Sequence, residues 1–477
     1  MASINKTSVR DELDRLKTEF QHQHDGNAMT NENRALMQSM LTLLELIIAI
    51  FLEKTTQKNS KNSSKSSSQT EKDESSLESK GSKGKGKSET TQTASNTRTV
   101  ESVTVSQVTL CSVCGEDISD SPCIRHERRT KIDIVFEKVV EHIDAEVKNC
   151  SACDAQVKGK YPADMPGPLQ YGNGLKAYVI STLVCQMVAL NRVQKSVKAM
   201  IGQIISEATL LKFVLRLHES LAQWERSAID SLLQSPVINV DETSLRVDKK
   251  NHWIHVYSSG DITLKLLHRR RGKEAINHFD IIPRYGGTIV HDCWASYLAF
   301  EHCGHGLCGG HLLRELLFII ESNNYRWAAN MKRLLQKTCK RVSASDKKSL
   351  TDKEYKKLLK NYRNIITRGE KELPVIPEKP KNKRGKMAKS NAHNLWQRLK
   401  DYEQAVLLFA KDPHVPFTNN RAERDLRMSK VKQKVSGCFR TSKYAHAYCR
   451  VSSYLQTMAN KGHNPLIAIQ MALAGEI

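Results

Sequence analysis

Val237-Ile-Asn-Val240, followed at once by Asp241-Glu-Thr243, is the stretch that decides the fold: a short apolar run that stops on a carboxylate. Around it the hydrophobic pattern has the period of strands. His252 to Tyr257 and Ile262 to Leu267 read as two more strands, Gly272 to Phe279 as a short helix, and Thr288-Ile-Val290 as a strand that ends at His291-Asp292. His305 to Cys308 reads as a further strand before a helix from His311. Three strands, helix, strand, helix, strand is the order expected of an α/β sheet covered by helices. Beyond Leu312 the pattern is helical to about residue 405, broken by a Pro- and Lys-rich loop from Pro374 to Lys389.

Upstream, residues 172–235 read as helices. Within them Ser196 to Leu211 gives a helix, a Gly202 turn, a Ser206 N-cap and a second helix, the requirements of a helix-turn-helix. Leu36, Met40, Leu43, Ile47 and Ile50, led by Met29, recur at three- and four-residue steps and form a coiled-coil seam suited to self-association or to packing on the rest of the chain. From Lys54 to about Ser106 the chain is Ser, Lys, Thr, Gln and Gly. It has too little to bury to offset its ordering entropy, which predicts a linker.

Across 477 residues, 74 Lys+Arg face 51 Asp+Glu, a net charge of +23, and the mean hydropathy is −0.49. That balance points to a polyanionic partner, with nucleic acid first. No secretory signal opens the chain. The apolar run Leu41 to Leu52 is about 12 residues where a bilayer span needs about 20. The expectation is a cytoplasmic, nucleoid-associated protein with no membrane. Twelve cysteines are too sparse for a disulfide scaffold. Cys111-x2-Cys114 and Cys150-x2-Cys153 have instead the spacing of a structural zinc site, with Cys123-x2-His126 as a rival second pair. Lys379 to Lys400 holds eight basic residues and no acid, a segment able to touch phosphate.

Three acids carry the candidate chemistry. Asp241 and Asp292 end strands, and Glu423 lies in Thr418-Asn-Asn-Arg-Ala-Glu-Arg-Asp-Leu-Arg-Met428, which opens a helix. Carboxylates at neighbouring strand ends share one sheet edge, and a helix crossing that edge adds a third. Such a cluster is relieved by hard divalent cations, Mg²⁺ or Mn²⁺, and a pair of these about 3.5–4 Å apart suits in-line phosphoryl transfer.

These motifs resemble those of the insertion-sequence-sixty-six family of transposases. The likeness lies in Asp241-Glu-Thr243, in Asp292-Cys-Trp-Ala-Ser-Tyr297, in Asn419 to Arg427 and in Lys434-Val-Ser-Gly437-Cys-Phe-Arg440, with a step of 51 positions from Asp241 to Asp292 and of 131 from there to Glu423. The resemblance implies a ribonuclease-H-like DDE core interrupted by a helical insertion. It implies catalysis on transposon ends and target DNA by Asp241, Asp292 and Glu423, and small companion proteins. It also implies a DNA contact at Lys430, seven positions after the glutamate, with Arg421, Arg424, Arg427, Lys434 and Arg440 on the same basic stretch. Cys308-Gly-Gly-His311 resembles a Cys-x2-His feature of several DDE groups, and as zinc ligands these two would take Cys303 or His305 as partners.

The expected organisation is a coiled-coil segment 1–53, a linker 54–106 and a zinc-binding domain 107–165. A helix-turn-helix-like region 166–235, a sheet domain begun by 236–311, an insertion 312–410 and a closing part 411–477 complete it. A DNA-binding protein without catalysis, or a structure-specific nuclease on the same fold, are the competing functions.

Overall fold

Eleven residues in a row, Val237–Val247, form the strand at the centre of the chain's main sheet in the computed structural model, which describes residues 6–25, 30–56, 58–59, 61–62, 103–132, 137–377 and 388–476. In chain order the helices and strands are α1 (Lys6–Asp25), α2 (Asn31–Thr55), β1 (Val147–Asn149), β2 (Gln156–Lys158), α3 (Asn173–Val184), α4 (Leu190–Ile201), α5 (Glu207–Ser220), α6 (Ala222–Leu233), β3 (Val237–Val247), β4 (Lys250–Ser259) and β5 (Ile262–His268). There follow α7 (Lys273–Phe279), β6 (Thr288–His291), α8 (Ala295–Leu298), β7 (Gly304–Leu307), α9 (Gly309–Asn323), α10 (Arg326–Ala344), α11 (Asp352–Glu372), α12 (Asn391–Asp401), α13 (Glu403–Lys411), α14 (Asn420–Ser436), α15 (Ser442–Asn460) and α16 (Pro465–Ala474).

The contacts divide the chain into two units. The first holds α1, α2 and residues 225–433 with 438–440. Its mixed five-stranded sheet has the order β5-β4-β3-β6-β7. The β3–β4–β5 part is an antiparallel meander, and β6 and β7 run parallel to β3. Strand alternation gives each face its own core. Ile238, Val240, Tyr257, Leu264 and Ile289 pack with Leu232, Ile276, Ile282 and Tyr297 on one side. Val237, Val290 and Leu307 join the large core of α9–α13 on the other.

β3 was expected to end at Asp241, but it continues through Glu242 to Val247. The polar residue is tolerated because Glu242 is neutralised where it sits. Arg271 donates to its Oε1 from Nε (2.9 Å) and Nη2 (2.6 Å), and the Tyr297 hydroxyl donates to Oε2 (2.8 Å).

α14 crosses the sheet face opposite α7 and α8, held by polar side chains. Asn419, just before it, donates from Nδ2 to Val240 O (2.8 Å) and accepts from Asn239 Nδ2 (2.9 Å). Asp425, one turn in, accepts at Oδ2 from Ser258 (2.8 Å) on β4, Thr263 (2.7 Å) on β5 and Arg421 Nε (2.9 Å). The chain then returns to the sheet beyond α14, where Phe439 pairs with Arg246 O (2.9 Å) and accepts from Asp248 N (2.8 Å).

α2 is longer than the apolar run suggested. Among the described residues it is the one helix with the length and apolarity to cross a membrane, by composition alone. Two of its acids face protein: Glu45 pairs with Lys17 of α1, and Glu53 accepts the free N–H groups of Asn391 (2.6 Å) and Ala392 (2.9 Å) that begin α12. Leu46, Ala49 and Leu52 are buried, while Leu36, Met40, Leu43 and Ile47 of the expected seam are exposed. Met29 lies outside the described residues.

The second unit holds residues 89–224, 434–437 and 441–477. The expected helix-turn-helix segment takes that form locally. Gly202, at φ 69°, closes α4, and Ser206 caps α5 by accepting from Thr209 N (3.2 Å). The closing part expected at 411–477 is divided: α14 belongs largely to the sheet, whereas α15 and α16 pack on α3 and α5. Of the linker, residues 63–102 lie outside the described residues.

Two measurements check this packing. Asp425→Ala strips three donors of a buried acceptor, and thermal or urea unfolding should show a loss of about 3–5 kcal/mol. Arg424→Ala, one position away on the exposed side, should change stability by under about 0.5 kcal/mol. The buried imidazole of His255 on β4 is pushed down to about 4, chiefly by burial. The unfolded chain therefore takes a proton near pH 6.5 that the folded chain refuses, and this contribution to stability is lost as pH falls from about 6.5 toward 4. Replacing it in His255→Leu should shrink the drop in melting temperature between pH 7 and pH 5.

Candidate active site

Asp241 and Glu242 are neighbours on β3, so their side chains leave on opposite faces. Glu242 turns to Tyr297 and Arg271, whose guanidinium is stacked between Trp253 (4.9 Å) and Trp294 (4.4 Å). Asp241 shares the face of Asn239, the α14 side, and is half-buried. Its carboxyl is held well above the usual range, first by burial and then by the charges of Glu242 and Asp292. The Glu242 N–H bonded to its Oδ1 (2.8 Å) and the ammonium of Lys430 pull the other way. Glu242 is raised in the same sense, by burial and then Asp292.

Asp292 follows β6 directly. Its Oδ1 accepts from Trp294 N (3.2 Å), and Cys293 between them stands at φ +73°, a left-handed conformation costly for a side chain with a Cβ. The turn is fixed from behind: Cys293 N donates to His291 Nδ1 (3.1 Å), and His291 Nε2 meets His305 Nδ1 at 3.1 Å. Burial, then the neighbouring His305, pushes His291 down to about 3, so it holds this turn as a neutral ring.

Glu423 sits in the first turn of α14 and is partly exposed. Its Oε1 lies 3.5 Å from His311 Nδ1 and 3.8 Å from Arg314 Nη2. Cys308, His311 and Glu423 offer ligand atoms all within 4.8 Å of one another, the one such group of His, Cys, Asp or Glu side chains among the described residues. The approach depends on Gly309. Its N–H donates to Phe417 O (2.7 Å), and a Cβ there would stand 2.3 Å from the Phe417 ring. Asn419 N then donates to Cys308 Sγ (3.1 Å). His311 is lowered by burial and by Arg314, and raised by Glu423 and Asp292, which places both acids within electrostatic reach of one ring.

The three acids are thus linked by charge in sequence, Asp241 to Asp292 and both Asp292 and Glu423 to His311, without gathering as closely as Cys308, His311 and Glu423 do. Cys303 and His305, the expected partners of Cys308 and His311, are engaged elsewhere. Cys303 Sγ faces Tyr285 O (3.2 Å), and His305 faces His291 and Phe300 O (3.2 Å). Glu423 takes the place expected for them.

Among the basic residues, Arg424, Arg427, Lys434 and Arg440 are exposed, and half-buried Lys430 favours the ionised form of Asp241. Arg421, expected on phosphate, is turned to Asp425 and Thr263 and serves as an anchor of the helix. In the basic segment Lys379–Lys400, residues 378–387 lie outside the described residues, while Arg398 and Lys400 are paired with Glu315 (2.9 Å) and Glu370 (3.4 Å).

Each cysteine pair forms its own tight turn. Gly115 N donates to Cys111 O (3.0 Å) and Asp154 N to Cys150 O (2.8 Å), the second turn joining β1 to β2. Backbone N–H groups inside each turn draw the Cys111 and Cys150 thiols below their ordinary range. The two pairs do not converge on a common ligand shell. Cys123 Sγ lies 3.8 Å from His126 Nε2.

A family model described as Transposase IS66 family matches residues 168–447, more than half of the chain. No curated protein matches it.

Gly309→Ala tests the close approach that seats residues 417–423. The methyl must displace the Phe417 ring, so unfolding should show a loss of about 1–3 kcal/mol. Gly310→Ala, whose Cβ would meet only ordinary contacts at 3.6 Å, should cost less by the same measurement.

Proposed function

The chain belongs to the IS66 family of transposases, and on that footing we propose that it cleaves the 3′ ends of an insertion sequence and joins them to target DNA, with Asp241, Asp292 and Glu423 as a DDE triad on a ribonuclease-H-like sheet. The observation that carries this reading is the charge crowding at Asp241. Burial and two neighbouring carboxylates make its ionised form costly, and Lys430 offsets only part of that cost. Carboxylates so arranged fit hard divalent cations. Mg²⁺ or Mn²⁺ held by the three acids would supply Lewis-acid stabilisation of the oxygens around phosphorus.

The chain's own groups do the rest. The Trp294 N–H and the strained turn at Cys293 orient Asp292 before substrate arrives, and the Asn419 and Asp425 bonds fix the helix that carries Glu423. Lys430 lies on the Asp241 side, where a scissile phosphate would enter, and the exposed Arg424, Arg427, Lys434 and Arg440 suit contact with flanking phosphates. Outside the sheet, α4 and α5 with their Gly202 turn are suited to reading terminal repeats. Cys111 and Cys114, with Cys150 and Cys153, supply the donors of a structural Zn²⁺ that would have to draw their two separate turns together. Residues 103–132 and 137–162 are almost wholly exposed and offer little apolar burial of their own to hold a fold, as in small domains ordered by metal. The open Leu36–Ile47 face of α2 suits self-association. Such a protein works in the cytoplasm at the nucleoid, with small companion proteins as further partners.

The test is incubation with end-containing DNA, Mg²⁺ or Mn²⁺ and a target plasmid. Asp292→Asn should retain DNA binding in a mobility-shift assay and lose metal-dependent nicking and joining by at least about 10³-fold. Cleavage at the parent rate rejects the triad. Nicking of branched DNA without joined products assigns a nuclease, and end binding without nicking a non-catalytic binder.

A further inference from the structure

Glu423 is drawn toward Cys308 and His311, and that neighbourhood has a chemistry different from a cluster of carboxylates. Cys308 is 1% exposed and begins the turn between β7 and α9. His311 is one turn further along, and Glu423 reaches them from α14. The three possible ligand atoms lie within 4.8 Å of one another, and His311 Nδ1 stands 3.5 Å from Glu423 Oε1. A tetrahedral ion with bonds of about 2.0–2.1 Å to nitrogen and oxygen sets those two atoms about 3.3 Å apart, so little movement separates this arrangement from a ligand shell.

The hydrogen bonding points the same way. His311 Nδ1 and Glu423 Oε1 are both buried atoms with no hydrogen-bond partner, although they face each other. Buried polar atoms without partners are expensive, and a cation between these two, with His311 Nδ1 deprotonated, satisfies both at once. The sulfur is supported from behind by the N–H of Asn419 (3.1 Å), the kind of outer contact that orients a thiolate ligand. Arg314, 3.8 Å from the same carboxylate oxygen, is the one competing cation close to it among the described residues, and its Nε is also without a partner.

We propose that Cys308, His311 and Glu423 form a transition-metal site, distinct in its donor set from the carboxylate pair Asp241 and Asp292. Thiolate, imidazole and carboxylate together select a borderline ion such as Zn²⁺ over Mg²⁺, which takes oxygen ligands. Binding moves the Cys308 proton to solvent and leaves three protein ligands around the ion. The fourth position stays open to water or to a phosphate oxygen. The site stands on these side chains and not on the DNA chemistry, although Glu423 is common to both.

Co²⁺ is the probe, titrated into the full-length metal-free protein and read by thiolate-to-metal charge-transfer absorption and by bound equivalents per chain. His311→Gln and Cys308→Ala should each lose one equivalent, with the part of the charge-transfer band that belongs to Cys308. A Cys111→Ser/Cys150→Ser variant should keep that equivalent, as should Asp292→Asn whatever becomes of its DNA cleavage. Should Cys308→Ala fail to fold, His311→Gln alone decides. The same stoichiometry and spectrum in His311→Gln as in the parent overturns the proposal. Loss of the equivalent in Asp292→Asn also overturns it, by assigning the ion to the acids.

Discussion

A single buried carboxylate, Asp425, accepts from three donors on three elements and ties the first turns of α14 to the sheet. An isolated acid in that setting would be untenable. With Ser258, Thr263 and Arg421 around one oxygen it becomes a peg, and removing it would strand its donors instead of merely freeing a helix. Asn419 adds a second peg six residues earlier, against β3. One anchor just before the helix and one in its second turn set where Glu423, between them, stands over the sheet.

That constraint brings acids distant in the chain toward one face of the sheet. Asp241 is placed by the central strand, Asp292 by a strained turn at the end of the adjacent parallel strand, and Glu423 by the pegged helix. Glu242 shows the contrast. One residue from Asp241, it points to the opposite face and is consumed by Arg271 and Tyr297. Adjacent carboxylates thus divide into one paired with Arg271 and Tyr297 and one whose ionised form is disfavoured by burial and by its acidic neighbours.

The strands of the main sheet, the short helix after β5, Asp292 at the close of β6 and the Gly202–Ser206 turn were legible in the sequence, because each is a local pattern of apolar spacing or capping chemistry. Partnership was not legible. Arg421 has the composition of a phosphate contact, yet it lies four residues before a buried aspartate and turns inward. Asn419 and Asp425 read as helix-start polarity, and nothing in their spacing marks them as the pegs of the fold. His311 and Cys308 stood out as a pair, but their third partner lies more than 100 residues away in the chain, beyond any spacing rule. The length of β3 was missed for the same reason: two acids in a row read as a strand end, and the partners of Glu242, Arg271 and Tyr297, lie far away in the chain.

The most direct test of the central claim is a crystal structure of the protein with Mn²⁺ bound, located by its anomalous scattering. The account predicts a manganese peak touching Asp241 and Asp292, with α14 still seated through Asn419 and Asp425 and Glu423 on the same face. A map with manganese bound away from Asp241, or with α14 lifted from the sheet and its carboxylate facing solvent, would contradict it.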